Sequence, residues 1–148
     1  MLTSCKNSSY YYPTGPQRTN IEGFDVECIA VERMQNNLNA YFALNNTGPE
    51  RVIKIDGIDH SIIGPDGSKT SGEIDSVRFG DILKNDITNK TLVGETVPEN
   101  ETRIVCISFS AQNFPKDIDS IHSIKVRLMI ENKKVEAVLY NMKIDKPI

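Results

Sequence analysis

The sequence predicts an all-β protein, an antiparallel sandwich of about seven to nine short strands. Three observations carry this reading. Apolar residues recur with period two in short runs, clusters of Gly, Pro, Asn and Asp separate those runs, and helical periodicity is almost absent.

The first run is Phe24, Val26, Cys28 and Ala30, alternating with Asp25, Glu27 and Ile29. That alternation predicts a strand with one face buried. Asn36-Asn37 turns the chain into a second run, Leu38, Ala40, Phe42 and Leu44. Asn45-Asn46-Thr47-Gly48-Pro49 is a strong turn. Val52 to Ile55 and Ile58 to Ile63 read as two further strands, closed by Gly64-Pro65-Asp66-Gly67. Residues 68–98 hold only short apolar pieces, Ile74-Val77-Phe79 and Ile82-Leu83. They predict one or two short strands, a helical turn near Asp81 to Asn85, and a polar connection from Asn85 to Asn100. Val105, Ile107 and Phe109 form the next in-phase row. The chain closes on a hairpin, with Ile124, Val126, Leu128 and Ile130 on one strand and Val138, Tyr140, Met142 and Ile144 returning after a turn at Glu131-Asn132-Lys133-Lys134.

At 148 residues the chain fits one domain with its own core, assigned to 23–148. Hydrophobic residues make up 39% and charged residues 25%, an ordinary globular balance. No apolar run reaches the length of a membrane-spanning helix. A net charge of -3 and a pI near 5.4 argue against a nucleic-acid partner. The charge is unevenly spread. Glu22, Asp25, Glu27 and Glu32 cluster in the first strand region, and Lys125, Arg127, Lys133, Lys134, Lys143 and Lys146 in the last hairpin. Two readings are open: solvated faces that complement each other, or a basic face that docks an acidic partner.

Residues 1–22 read as a flexible leader to this domain. Lys6-Asn7-Ser8-Ser9 and Pro13-Thr14-Gly15-Pro16 read as tether. Tyr10, Tyr11 and Tyr12 lay rings on the domain or form a partner-contact patch. Ahead of them stands Leu2-Thr3-Ser4-Cys5, an aliphatic residue, two small residues and a cysteine. This tetrapeptide resembles the lipobox of bacterial lipoproteins. The resemblance implies lipidation of Cys5, membrane attachment through that lipid, and a place in the bacterial cell envelope, facing the periplasm or the surface. The Asn-Thr-Gly turn after a strand and the closing hairpin resemble Ig-like sandwich modules of bacterial envelope lipoproteins, over residues 24–144 and at the level of pattern. The chain has no tryptophan, so it lacks the core Trp of antibody-type domains.

With Cys5 lipidated, Cys28 and Cys106 are left as a candidate disulfide in an oxidising compartment. The alternative is two small buried apolar residues, because Cys106 falls out of phase with Val105, Ile107 and Phe109. Their spacing fits no zinc pattern. Asn7, Asn45, Asn89 and Asn100 open glycosylation sequons that matter only in a eukaryotic host. Asp75-Ser76-Val77 and Asp119-Ser120-Ile121 resemble sites that some Gram-negative bacteria O-glycosylate in envelope proteins.

Little in the chain points to catalysis. His60 follows Asp59, but adjacent strand residues face opposite ways, and neither His60 nor His122 sits in a nucleophile motif. Asp56, Asp59 and Asp66 could offer oxygens to calcium, yet Asp66-Gly67 reads more simply as a turn. Asp117 and Asp119 imply no cleft that would split their pKa values. No cofactor or metal is expected. The functional expectation is a non-enzymatic protein-binding or scaffolding module. The alternatives are a carbohydrate- or small-ligand-binding sandwich, with only Tyr10, Tyr11, Tyr12, Tyr41 and Tyr140 as platforms, or a cytosolic immunity or adaptor protein if the lipobox match is accidental.

Overall fold

The structure is a computed structural model that describes residues 9–13, 18–55, 60–79, 82–84, 95–110 and 120–145. These residues form twelve strands and contain no helix. The strands are β1 (Ser9–Pro13), β2 (Arg18–Ile21), β3 (Phe24–Arg33), β4 (Asn37–Asn46), β5 (Arg51–Ile55), β6 (His60–Ile63), β7 (Lys69–Phe79), β8 (Ile82–Lys84), β9 (Glu95–Val97), β10 (Thr102–Ser110), β11 (Ser120–Ile130) and β12 (Lys133–Asp145). The all-β sandwich expectation holds. The count exceeds seven to nine because β1, β2, β8 and β9 are short additions.

Every pairing is antiparallel, and the ladder runs β12-β1-β3-β4-β10-β7-β6-β11, with β11 pairing β12 again. One sheet consists of β3, β4 and β10 with the second half of β7; the other consists of β12, β11 and β5/β6 with the first half of β7. Strands that change partner join them. In β7, Lys69 to Gly72 pair with β6, and Gly72 onward pairs with β10. Gly72 pairs with both His60 and Phe109, and a Cβ there would lie 2.4 Å from the Phe109 ring. Only glycine lets the strand cross so close to that ring. Closing the ladder leaves few free edges, which protects a β-rich chain from edge-to-edge association.

The inner faces meet in one apolar core. It takes Phe24, Val26, Cys28 and Val31 from β3, the alternate residues Leu38 to Leu44 from β4, and Val105, Ile107 and Phe109 from β10. Across from them lie Ile53, Ile55, Ile62, Ile124, Val126, Leu128, Ile130, Ala137 and Leu139.

The details depart from the expected pattern in four places. A bulge between Cys28 and Ala30 shifts the phase of β3, so Val31 rather than Ala30 continues the inward row, while Ile29 faces out as the alternation expects, at 38% exposure. The bulge sits where β3 changes its lateral partner from β2 to β1. On β12 the inward residues are Val135, Ala137 and Leu139, and Val138 faces out, because the turn at Glu131 and Asn132 has an even number of residues and so sets each inward even residue of β11 opposite an odd residue of β12. Both turn residues have positive φ (49° and 67°), as a two-residue hairpin requires. Ile82–Lys84 is a strand on β7 rather than a helical turn. Finally, the leader is not a free tether where it is described. Arg18–Ile21 pairs with β3, while Ser9–Pro13 pairs with β3 at Ser9 to Tyr11 and with β12 at Tyr12 and Pro13. Its backbone groups find partners in the closed ladder, so burial of the core and the tail are linked.

Deleting residues 1–13 removes the strand that joins β3 to β12. Thermal melting of the deletion should show a midpoint lowered by about 5 °C or more. An unchanged midpoint would return the segment to the status of a dispensable tether.

Candidate functional site

A polar knot closes one end of the sandwich. Asn46, at the end of β4, is completely buried. Its Nδ2 donates to the carbonyls of Pro49 (2.9 Å) and Val97 (2.9 Å), and its Oδ1 accepts from the Gly48 N–H (3.0 Å) and Arg51 Nη2 (2.6 Å). Its backbone N–H donates to Glu101 O, and its carbonyl accepts from the Asn100 N–H. A buried amide is tolerated because its polar atoms are all matched. Arg51 extends the knot. Its guanidinium donates to Gly23 O (2.9 Å) and to Glu22 O, and lies 4.6 Å from the centre of the Phe24 ring. Gly23 has φ of +81°, and a Cβ there would meet Arg51 at 2.7 Å, so this turn needs glycine on both counts. Glu22 then binds Lys133 at 2.7 Å, which ties the β2–β3 turn to the last hairpin and lowers the Glu22 carboxyl pKa through that hydrogen bond and charge.

The charged residues divide between the two outer faces. Asp25, Glu27 and Glu32 alternate with the buried residues of β3, and exposed Glu73 lies opposite Ser108 on the same side. Arg18 faces Glu27 across the β2–β3 pair at 3.6 Å. Asn20 donates to Asp25 Oδ1 (2.8 Å), and Tyr41 and Asn39 donate to Glu32 (3.1 and 3.3 Å). On the opposite sheet, Lys54, Lys125, Arg127 and Lys134 face outward with one carboxylate, Glu136, which lies 3.8 Å from both Lys125 Nζ and Arg127 Nε. Of the two readings from sequence, mutual complementation between the two charged groups is seen among the described side chains at Glu22 and Lys133. Asp25, Glu27 and Glu32 lie on one outer face, and Lys125, Arg127 and Lys134 on the other.

The acidic face carries an open notch of about 240 Å³, lined by Arg18, Asp25, Glu27, Ala43, Asn45 and Thr102. Ala43 lies between Glu27 and Ile104 in the cross-strand row, and its small side chain leaves the depression. Thr102 Oγ1 donates to Asn45 Oδ1 (3.1 Å) along its rim. The volume falls short of the range typical of small-molecule pockets and matches one long side chain better.

The sequence-predicted residues fare differently. Cys5 lies outside the described residues, as do Asp56, Asp59, Asp117 and Asp119. Tyr10, Tyr11 and Tyr12 lie in β1, within the ladder. The candidate Cys28–Cys106 disulfide is corrected: the two cysteines are not bonded to each other, and both are buried. They lie on β3 and β10 of one sheet, with β4 between them and on opposite faces, since Cys28 pairs with Phe42 and Cys106 with Tyr41. Two strand spacings, roughly 9–10 Å, exceed what a disulfide can span. Burial pushes the Cys28 thiol up to about 12.

His60 is fully buried, and its Nδ1 accepts the backbone N–H of Arg127 at 3.2 Å. Arg127 lies where β11 passes from β6 to β5, so the imidazole fills a gap in the ladder. Sequence gave no sign of this. Asp66 accepts from the backbone N–H and hydroxyl of Ser68 (3.0 and 2.9 Å), which lowers its pKa and makes it a turn residue. Among the described residues, no group of three or more His, Cys, Asp or Glu side chains could hold a metal ion. No known protein family, curated protein or solved structure matches the chain.

Two outcomes follow from the buried polar atoms and the thiols. Asn46→Ala leaves buried carbonyls without their donor and Arg51 without one of its acceptors, and should cost about 2–4 kcal/mol in urea unfolding; a loss below about 0.5 kcal/mol would show that the knot is incidental. The Cys28 thiol ordinarily ionises at 9.0 and in the fold keeps its proton to about 12. Between those values the unfolded chain has released a proton that the folded chain holds, so stability is intact below the lower value and falls as pH rises toward the upper. Cys28→Ala should flatten that alkaline decline, and a decline of unchanged slope would contradict it.

Proposed function

We propose that the chain is a non-enzymatic, envelope-anchored sandwich that works by protein contact and is tethered through lipid on Cys5. The observation that carries the contact reading is the separation of charge onto opposite outer faces. Among the described side chains, Lys54, Lys125, Arg127 and Lys134 share one sheet face with the carboxylate of Glu136. Solvent-exposed like charges repel and gain nothing for the fold, whereas a complementary surface would attract them. The opposite, acidic face supplies a second surface with a notch sized for a side chain. The burial of His60 and its use as an acceptor for a backbone N–H speak for a structural rather than a catalytic imidazole.

The anchor rests on the Leu2-Thr3-Ser4-Cys5 resemblance. With β1 starting at Ser9, only residues 6–8 stand between that cysteine and the sheet, so a lipid there would hold the domain close to the membrane. A carbohydrate-binding reading gains no comparable support, since the 240 Å³ notch is lined by no aromatic residue.

The test is the intact mass of the native protein extracted in detergent from its own cells. A chain starting at Cys5 with added acyl mass is expected. An unmodified chain beginning at Met1 in the soluble fraction would overturn the anchor and favour the cytosolic adaptor.

A further inference from the structure

We infer that the contact surface of one copy is the opposite face of a second copy, so that the protein associates basic face to acidic face. This rests on the reading of the outer faces as contact surfaces. The argument starts from the two faces themselves. The β5-β11-β12 face presents Lys54, Lys125, Arg127 and Lys134 around Glu136. The β3-β4-β10 face presents Asp25, Glu27, Glu32 and Glu73 with Arg18 among the described side chains. The complement of each face is therefore already present on the molecule.

The geometry also selects the mode of association. Two basic faces repel, as do two acidic faces, so a symmetric dimer using one face twice is disfavoured. Unlike faces attract, and because they lie on opposite sides of the sandwich, each contact leaves one face of either kind free. Such a head-to-tail contact extends rather than closes. The notch floored by Ala43, with Asp25 and Glu27 on its wall, gives a lysine or arginine side chain of the next copy a place to enter. Existing pairs yield readily: Glu136 holds Lys125 and Arg127 only at 3.8 Å, and Arg18 holds Glu27 at 3.6 Å with both side chains substantially exposed. The contact is accordingly weak and sensitive to salt.

Sedimentation velocity of the full chain, across a concentration series at about 20 mM and about 300 mM salt, tests the inference. Wild type should form species larger than the monomer at low salt and dissociate at high salt, with affinity changing by about tenfold or more. Lys125→Glu with Lys134→Glu reverses one face; Asp25→Lys with Glu27→Lys reverses the other. Each variant alone should remain monomeric, and thermal melting checks that each is folded. Reversal of opposite faces leaves one native acidic face in the first variant and one native basic face in the second. An equimolar mixture should therefore recover association, since the faces of the first variant are acidic and those of the second basic. A wild type that is monomeric at low salt, or association unaffected by either reversal, overturns the inference. Monomers that instead bind vesicles containing anionic lipid through the basic face overturn it in favour of a membrane surface. If self-association is absent while the basic lysines are covered by another protein in cells, the inference fails and the contact reading survives; if those lysines are uncovered as well, both fail.

Discussion

Asn46 sets the constraint on which this sandwich depends. It ends β4, the strand that lies between β3 and β10, and it is fully buried. A buried amide without partners would cost several kcal/mol, so its burial is possible only if the surrounding loops bring their backbone groups to it. They do so from both sides. The carbonyls of Pro49 and Val97 accept from its side chain, and Asn100 and Glu101 pair with its backbone. Arg51 carries the same network to the turn at Glu22-Gly23 and stacks on Phe24 at the edge of the core. The loops at this end are therefore mutually determined, and the inner faces are held in the register that buries the core.

That rigid end has a consequence for the outer faces. With the inner faces committed to packing and the ladder closed through β1, β7 and β12, the charged residues are fixed to one side or the other by strand parity alone. Parity and one bulge put the carboxylates of β3 outside one sheet and the cations of β11 and β12 outside the other. Each pair of faces is thus a product of the same alternation that builds the core. The fold supplies two oppositely charged outer surfaces and, on the acidic one, a notch of about 240 Å³, the features on which the proposed protein contact rests.

Much of this was legible in the residues. Period-two runs at Phe24 to Cys28, Leu38 to Leu44 and Val105 to Phe109 mark strands and their buried faces, because apolar burial dominates and alternates with the pleat. What local pattern could not reveal depends on contacts distant in sequence. The phase shift at Ile29 follows from β3 exchanging β2 for β1 as its neighbour. The role of Asn46 follows from carbonyls some fifty residues further along the chain, at Val97. The use of His60 as a stand-in ladder partner follows from Arg127 lying where β11 passes from β6 to β5. The leader reads as tether by its Pro, Gly and Ser content, yet Ser9–Pro13 is recruited as a strand by two others whose edges would otherwise be open. The cysteines show the same limit. Their phases were readable, but the presence of β4 between them was not.

Amine labelling in intact cells, compared with labelling of the purified protein and read by mass spectrometry, tests the claim that the outer faces are contact surfaces. The account predicts that Lys54, Lys125 and Lys134 are protected in cells, while Lys133, exposed at the β11–β12 turn and held by Glu22 rather than on the basic face, reacts equally in both. Equal labelling of all four lysines in cells and in solution would contradict it.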